Sequence, residues 1–324
     1  MPLAIPVFQT SYFQKALLDS QHFAKLLAAD VLDLEALVGY TILGDYVNVP
    51  TIQRIADFIR TDYASGGVQT DTPAAADNQK APILWSNSLN SFLDTDTARI
   101  NENIGALWSA GAGEKMAKRA LQQFGLMMSG AVPSIHTYDI SGSGKRLRVV
   151  DVLNAKFQSG DIADEFTTLI CHSNVWLSLV SDMIGPTYAA NPVIAGRVFL
   201  DGQTSAILGL QNVVISDQMP KLVAGITTAG DEVYTSFICR PKAIKFANEQ
   251  EMLVRDWVNP TVPGNKTYVN WMMGYTMLLE GTQYTGGANP SDGILASPGS
   301  WTTAFQDPRE SGAIKIVSVG NKGS

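Results

Sequence analysis

The residues best equipped for chemistry are Cys171, His172 and Ser173, which follow the apolar run Phe166-Thr167-Thr168-Leu169-Ile170. A thiol served by an imidazole base is the pair from which a cysteine nucleophile is built. On a strand, however, successive side chains point to opposite faces, so Cys171 and His172 cannot serve one another. A base would have to come from His22 or His136, and the residues around neither point to such a role. No Gly-x-Ser-x-Gly surrounds Ser173, so the nucleophile elbow of serine hydrolases is missing. The favoured reading is a buried Cys171 and a His172-Ser173 step hydrogen-bonded locally where a strand hands over to a helix.

Other constellations fare no better. Gly142-Ser143-Gly144-Lys145-Arg146 hints at a phosphate cradle before a helix. A Walker A loop needs glycine where Asp139 stands and Ser or Thr where Arg146 stands. Gly111-Ala112-Gly113 lacks the third glycine of a dinucleotide fingerprint, because Met116 occupies its place. The three histidines and two cysteines show no metal-ligand spacing. Asp161/Asp164/Glu165 and Glu249/Glu251/Asp256 could pair as acid and base, but charge clusters beside turns are more often solvated surface. Lys115, Lys118 and Arg119 share one helical face at three- and four-residue steps; a plain solvated face is the better reading. The sequence therefore assigns no catalytic, cofactor-binding or metal residue, and no cofactor.

Composition sets the frame in which such residues would be held. The 324 residues suffice for one large domain or two ordinary ones. Charged residues make up 16% of the chain, against about 25% in a typical globular protein. Such a surface leaves room for neutral, hydrogen-bonded contacts with neighbours and suits an assembling subunit. A net charge of −7 argues against a dedicated nucleic-acid binder, which needs a basic field to attract phosphates. Cys171 and Cys239 lie in apolar runs and read as buried hydrophobes in a reducing compartment. Met1 to Phe8 has no basic start and no apolar core, so no signal peptide is expected. No window approaches the roughly 20 apolar residues of a membrane span. The expectation is a soluble protein made in the cytosol.

Along the chain, Phe13, Ala16, Leu17, Phe23, Leu26, Leu27 and Val31 recur at helical steps and predict helix over 10–40. From Gly44 to Asp96 the character changes. A short strand at 45–50 precedes a polar run, Ser65 to Lys80, that cannot bury enough apolar surface to pack alone. With Ala81-Pro82-Ile83-Leu84-Trp85 on the return side, this predicts an extended two-stranded excursion. Ile100, Ile104, Leu107, Trp108, Met116, Ala120, Leu121, Phe124 and Met127 or Met128 form the stripe of a helix over 97–130, with Gly111 and Gly113 expected to bend or interrupt it. A loop over 139–146 comes next, then helix 147–158, strand 166–171 and helix 174–184. Strand-like runs follow at 193–200, 211–216, 232–239, 242–247, 251–258, 267–279 and 312–319. Helices early and strands late predict an α+β fold.

The central block also resembles a known family. Helix Leu147–Phe157 leads to Gly160-Asp161. A strand ends in His172-Ser173 and precedes helix Val175–Ile184. Leu208-Gly209-Leu210-Gln211-Asn212-Val213-Val214-Ile215-Ser216-Asp217-Gln218-Met219-Pro220 then leads to Ala243-Ile244-Lys245-Phe246 and to Glu251–Asp256. In order and spacing this block is similar to the major capsid (coat) proteins of tailed bacteriophages, with their Hong Kong 97-like fold. The insertion Ala195–Ala206 is longer than the family's pattern there. The resemblance implies an N-terminal arm at 1–45 and an extended E-loop at 46–96 that lies over the adjacent subunit. It implies a peripheral-domain spine helix at 97–131, an axial domain at 132–262, and peripheral strands with a C-terminal tail at 263–324. It implies a non-enzymatic shell subunit, assembling through hexamers and pentamers around double-stranded DNA in the virion after synthesis in the host cytoplasm. The partners implied are its own copies, with scaffold, portal and decoration proteins, and no membrane. In some relatives an E-loop lysine bonds covalently to a neighbour's asparagine; Lys80 lies in the right region, but no pattern here supports that reaction. An encapsulin-type compartment would share the fold, and a hydrolase using Cys171 or Asp161/Asp164/Glu165 is the contrasting alternative.

Overall fold

The structure, a computed structural model, describes residues 21–33, 42–43, 46–54, 75–93, 104–143, 145–190, 210–222, 232–259, 261, 266–304 and 310–320. Helix α1 (Gln21–Ala28) leads to β1 (Leu32–Asp33), β2 (Ile42–Leu43), and the long strands β3 (Tyr46–Arg54) and β4 (Ala75–Leu93). Helix α2 (Ile104–Ala131) comes next. After it lie β5 (Thr137–Asp139), α3 (Val149–Phe157), β6 (Thr168–Cys171) and α4 (Ser173–Ala190). Then come β7 (Asn212–Ile215), β8 (Lys221–Leu222), β9 (Val233–Cys239), β10 (Ile244–Asn259) and β11 (Lys266–Leu279). The last elements are β12 (Thr282–Tyr284), α5 (Asp292–Leu295), β13 (Trp301–Thr303) and β14 (Ala313–Val319).

Among the described residues, two large sheets and the separate pair β12–β13 organise these strands. The first runs β1-β10-β11-β4-β3-β2 and the second β5-β14-β9-β6-β7, with β8 on β9. β4 serves two partners in turn. Its first part, Ala75 to Pro82, pairs with β3, and its second, Ile83 to Leu93, pairs with β11. The β3–β4 hairpin thus leaves the body of the first sheet as a ribbon, as the two-stranded excursion predicted. Pro82 stands at the change of partner, on the β3-paired side of it.

β9 (Val-Tyr-Thr-Ser-Phe-Ile-Cys) is buried at every position, as the middle strand of the second sheet must be. Its two faces serve different cores. Phe237 and Cys239 join Ile170, Phe124, Met127 and Trp271 in the cluster around α2. Tyr234 and Ile238 join Leu169, Cys171, Val152 and Val175 beneath α3 and α4. The 28-residue α2, about 42 Å long at 1.5 Å per residue, contributes Met116, Ala120, Leu121, Phe124 and Met128 to a cluster that takes side chains from both sheets. That is the second part of the predicted stripe, here shared by both sheets; Ile100 and the side chains of Ile104, Leu107 and Trp108 lie outside the described residues.

Several expectations are corrected. The helix predicted over 10–40 ends at Ala28; residues 10–20 and 34–40 lie outside the described residues. It ends because Asp30 turns left-handed (φ 54°). The Asp30 N–H then donates to Leu27 O and the Val31 N–H to Leu26 O, a Schellman closure sealed by the buried pair Leu26 and Val31. Gly111 and Gly113 do not interrupt α2, whose packing outweighs two weak helix formers. The runs 242–247 and 251–258 are one strand, β10, which absorbs the polar residues between them as register shifts at Asn248/Gln250 and Gln250/Leu253. The strand expected at 193–200 lies outside the described residues. β10 pairs with β11 in the first sheet, whereas β14 pairs with β5 and β9 in the second.

Candidate functional site

Cys171 is fully buried among Leu147, Val152, Val175 and Ile238, and burial pushes its thiol up to about 12. A thiol in that state is not a nucleophile at neutral pH. Burial also raises Cys239. The register places Cys239 opposite Thr168, three residues along β6 from Cys171, and in the other core. Both cysteines are free thiols. His136 does not come to Cys171. Its Nδ1 lies 3.0 Å from Ser311 Oγ and 3.4 Å from Ala313 O, with the ring edge-on to Phe166. His22 lies on α1, and its side chain is outside the described residues.

His172 has a structural task. It precedes α4, and its Nδ1 accepts the Asn174 N–H at 3.1 Å, with Ser173 Oγ 3.4 Å away. An N-cap acceptor facing a second-position amide satisfies one of the four orphan donors of a helix start. The ring packs on Tyr234 at 4.4 Å between centroids, and Nε2 lies 3.8 Å from Asp217 Oδ1. Tyr234 donates to Glu232, accepts from Asn174 Nδ2 at 2.7 Å, and Glu232 pairs with Lys221. The Cys-His-Ser step is therefore a capped strand–helix junction, as the favoured reading had it. Sequence reasoning missed Tyr234, Glu232 and Lys221 around it, because they arrive from β8 and β9 with no local pattern.

The turn after β7 gains a purpose. Met219 is buried, and Pro220 lies against α2 at Gly125, where an added Cβ would stand 2.5 Å from Pro220 Cδ. Gln122 Nε2 donates to Gln218 Oε1 at 2.8 Å beside this contact. Asp217-Gln218-Met219-Pro220 thus docks the second sheet onto the spine helix. Gly130 allows a second close approach, 2.5 Å from Leu295 O to its would-be Cβ.

The remaining candidates resolve into structure. Glu165 pairs with Arg240 at 2.8 Å; Arg240 also reaches Glu310 O at 2.5 Å and Glu280 at 3.5 Å, and lies over Phe166. This guanidinium sits where β9 passes to β10, tying the two sheets together; no sequence motif marked it. Asp161 and Asp164 sit exposed on the short 3-10 turn Gly160–Glu165, and Asp164 acts to raise the buried Lys156, whose pKa burial lowers. Glu249, Glu251 and Asp256 lie on β10, with side chains outside the described residues. Among the described residues, no three His, Cys, Asp or Glu gather as a metal site, and no helix is long and apolar enough to cross a membrane.

At the start of α3, which follows the glycine loop, carboxylates serve the backbone donors. Asp151 accepts the Arg148 N–H and Asp182 accepts the Val149 N–H, each at 3.1 Å. Of the basic face on α2, Lys118 pairs with Glu114 at 2.8 Å, and Arg119 makes a two-pronged bond to Asp292 at 2.7 and 2.8 Å. Lys80 lies 5.7 Å from the Tyr46 ring centroid. Among the described residues, the exposed large apolar side chains include Phe157 (69% exposed), Val150, Leu89 and Trp257. Trp257 stacks on Tyr268 at 5.3 Å towards the loop end of the β10–β11 hairpin.

No family model matches the sequence, and no curated protein matches it. Solved structures do match. The chain aligns with the capsid of Ralstonia phage GP4 at 10% identity and a TM-score of 0.56, over 90% of this chain and 87% of that one. It aligns with the capsid of cyanophage P-SCSP1u at 13% identity and 0.54, over 90% and 86%. With cyanophage Pam1, in a structure of its capsid asymmetric unit, the values are 12% and 0.54, over 99% and 95%. The likeness is one of fold: this chain has the α+β, Hong Kong 97-like fold of tailed-phage capsid proteins.

Proposed function

We propose that this chain is a major capsid protein, a non-enzymatic subunit that assembles through hexamers and pentamers into the icosahedral head of a tailed bacteriophage around double-stranded DNA. The observation carrying the reading is that likeness to three phage capsids spans nine-tenths or more of the chain. The β3–β4 ribbon, which projects from the first sheet, is the feature a lone globule would not need. Under this reading, segment 1–45 is the arm and 46–96 the E-loop, both reaching neighbouring subunits. Segment 97–131 is the spine helix of the peripheral domain, 132–262 the axial domain, and 263–324 the peripheral strands and C-terminal tail. The net charge of −7 suits a wall that encloses DNA without reading it. Location in the virion, assembly in host cytoplasm, and contacts with scaffold, portal and decoration proteins follow from the same reading. An encapsulin-type compartment has less support, since the matched structures are phage capsids.

Negative-stain electron microscopy beside size-exclusion chromatography tests the proposal. Closed shells, or rings of five and six subunits, are expected. A monomer or dimer at every salt and protein concentration, with or without the scaffold protein from the same source, overturns it.

A further inference from the structure

The first sheet has one covered face and one bare face. Val269, Trp271, Met273 and Tyr275 of β11 are buried in the cluster around α2. The residues between them point the other way, and the register aligns them in rows across β10, β11 and β4. Trp257, Tyr268 and Ser91 form one row, and Arg255, Asn270 and Leu89 the next. Met272 and Asn87 follow, and Trp85 then stands beside Gly274. The solvated face of an antiparallel sheet is ordinarily polar. Here Trp85, Leu89 and Trp257 are all exposed on it, and such concentrations of apolar surface mark contact sites.

Aromatic rings frame this face at rows about 20 Å apart, at ~3.4 Å per residue along β4. At one end, a Cβ on Gly274 would stand 2.8, 3.0 and 3.1 Å from three consecutive atoms of the Trp85 ring. Distances so nearly equal put the indole face-on over the glycine, and exposure of Trp85 leaves its other face open. At the other end Trp257 stacks on Tyr268, and Lys266 Nζ lies 5.3 Å from the Tyr268 centroid. Between them Arg255 and Asn87 are exposed. Among the described side chains of this face the only charges are Arg255 and Lys266, both positive, in a chain of net charge −7. Asp256 stands opposite Val269, on the α2 side. We propose that this face binds an extended acidic polysaccharide, with uronate carboxylates on Arg255 and Lys266 and a pyranose ring laid on Trp85. Charge complementarity selects an anion, and a guanidinium suits a carboxylate. The open indole selects a partner with a flat C–H face of its own. Duplex DNA keeps its base faces stacked, and an acidic peptide brings carboxylates without the ring. The face is complete in a single chain, so binding does not depend on assembly into a shell.

Isothermal titration of the full chain with a short alginate oligomer tests it, beside poly-glutamate of equal length, neutral dextran and single-stranded oligothymidylate. Alginate should bind several-fold more tightly than any of the three. Arg255→Glu, at an exposed position, should weaken it several-fold, and so should Trp85→Ala. Trp85→Phe keeps a ring over Gly274 while narrowing the platform, and its loss of affinity serves if Trp85→Ala does not fold by circular dichroism. No alginate binding overturns the proposal. Equal binding of poly-glutamate shows attraction by charge alone, and preference for oligothymidylate shows a nucleic-acid surface; each overturns it. Alginate affinity unmoved by Arg255→Glu and by the folded Trp85 variant places the sugar elsewhere and overturns it too.

Discussion

His172 shows how a residue suited to catalysis becomes a structural element with its own pH dependence. Its Nδ1 caps α4 only while unprotonated, because a proton there would face the Asn174 N–H and the positive end of the helix. Burial lowers the ring's pKa; Asp217 and Glu232 pull it up and Lys221 pushes it down, with burial the largest of these. A free histidine titrates near ~6.5. As pH falls, the unfolded chain takes up this proton first. The residue's contribution to stability is therefore complete above ~6.5 and is lost as pH drops below it towards the folded pKa. His172→Asn keeps a cap acceptor and removes the titration. Thermal melts of both proteins from pH 7.5 to 5 should converge as pH falls, with the wild type losing more. Parallel curves would reject the assignment. At Cys171 the strand's alternation was legible in the sequence, but the completeness of its burial depended on α3 and α4 closing over it.

At the scale of elements, two glycines of one helix make opposite predictions. Alanine is the better helix former by about 1 kcal/mol. At Gly111, where the new methyl meets open space, Gly111→Ala should stabilise by roughly 0.5–1 kcal/mol. At Gly125 the methyl would stand 2.5 Å from Pro220. Gly125→Ala should therefore lower stability by about 1–3 kcal/mol, against its helix propensity. Urea midpoints of the two variants decide the matter, and the same sign for both would show that the Pro220 turn is not seated on α2. The sequence marked Asp217-Gln218-Met219-Pro220 as a strand end, since Pro220 cannot donate to a ladder. What receives it was hidden, because Gly125 lies 95 residues earlier and offers only an absent side chain.

At the scale of the whole molecule, the proposed shell gives the ribbon a task outside the subunit. Asn78 to Pro82 of β4 pair with β3 and belong to the folded ribbon. A deletion that tests assembly should therefore stop short of Ala75. Replacing 56–73 by a short glycine linker should leave the far-ultraviolet circular dichroism and melting temperature close to those of the parent. It should abolish closed shells in electron micrographs. Normal shells from that variant would deny the loop a part in assembly. Loss of the folded signal would show instead that the loop supports its own subunit.

The sequence by itself determined the α+β class, the spine stripe from Met116 to Met128, the two-stranded excursion and the absence of a nucleophile–base pair at Cys171-His172. Each follows from periodicity, alternation or composition over a few neighbouring residues. Only the tertiary structure decided that β14 returns to the sheet of β9, that β10 is one strand crossing two irregularities, and that Arg240 ties the sheets through Glu165 and Glu280. Those outcomes depend on pairing between segments tens to hundreds of residues apart. No local pattern encodes such a pairing, because what stabilises it is the burial of both partners against a helix that neither contains.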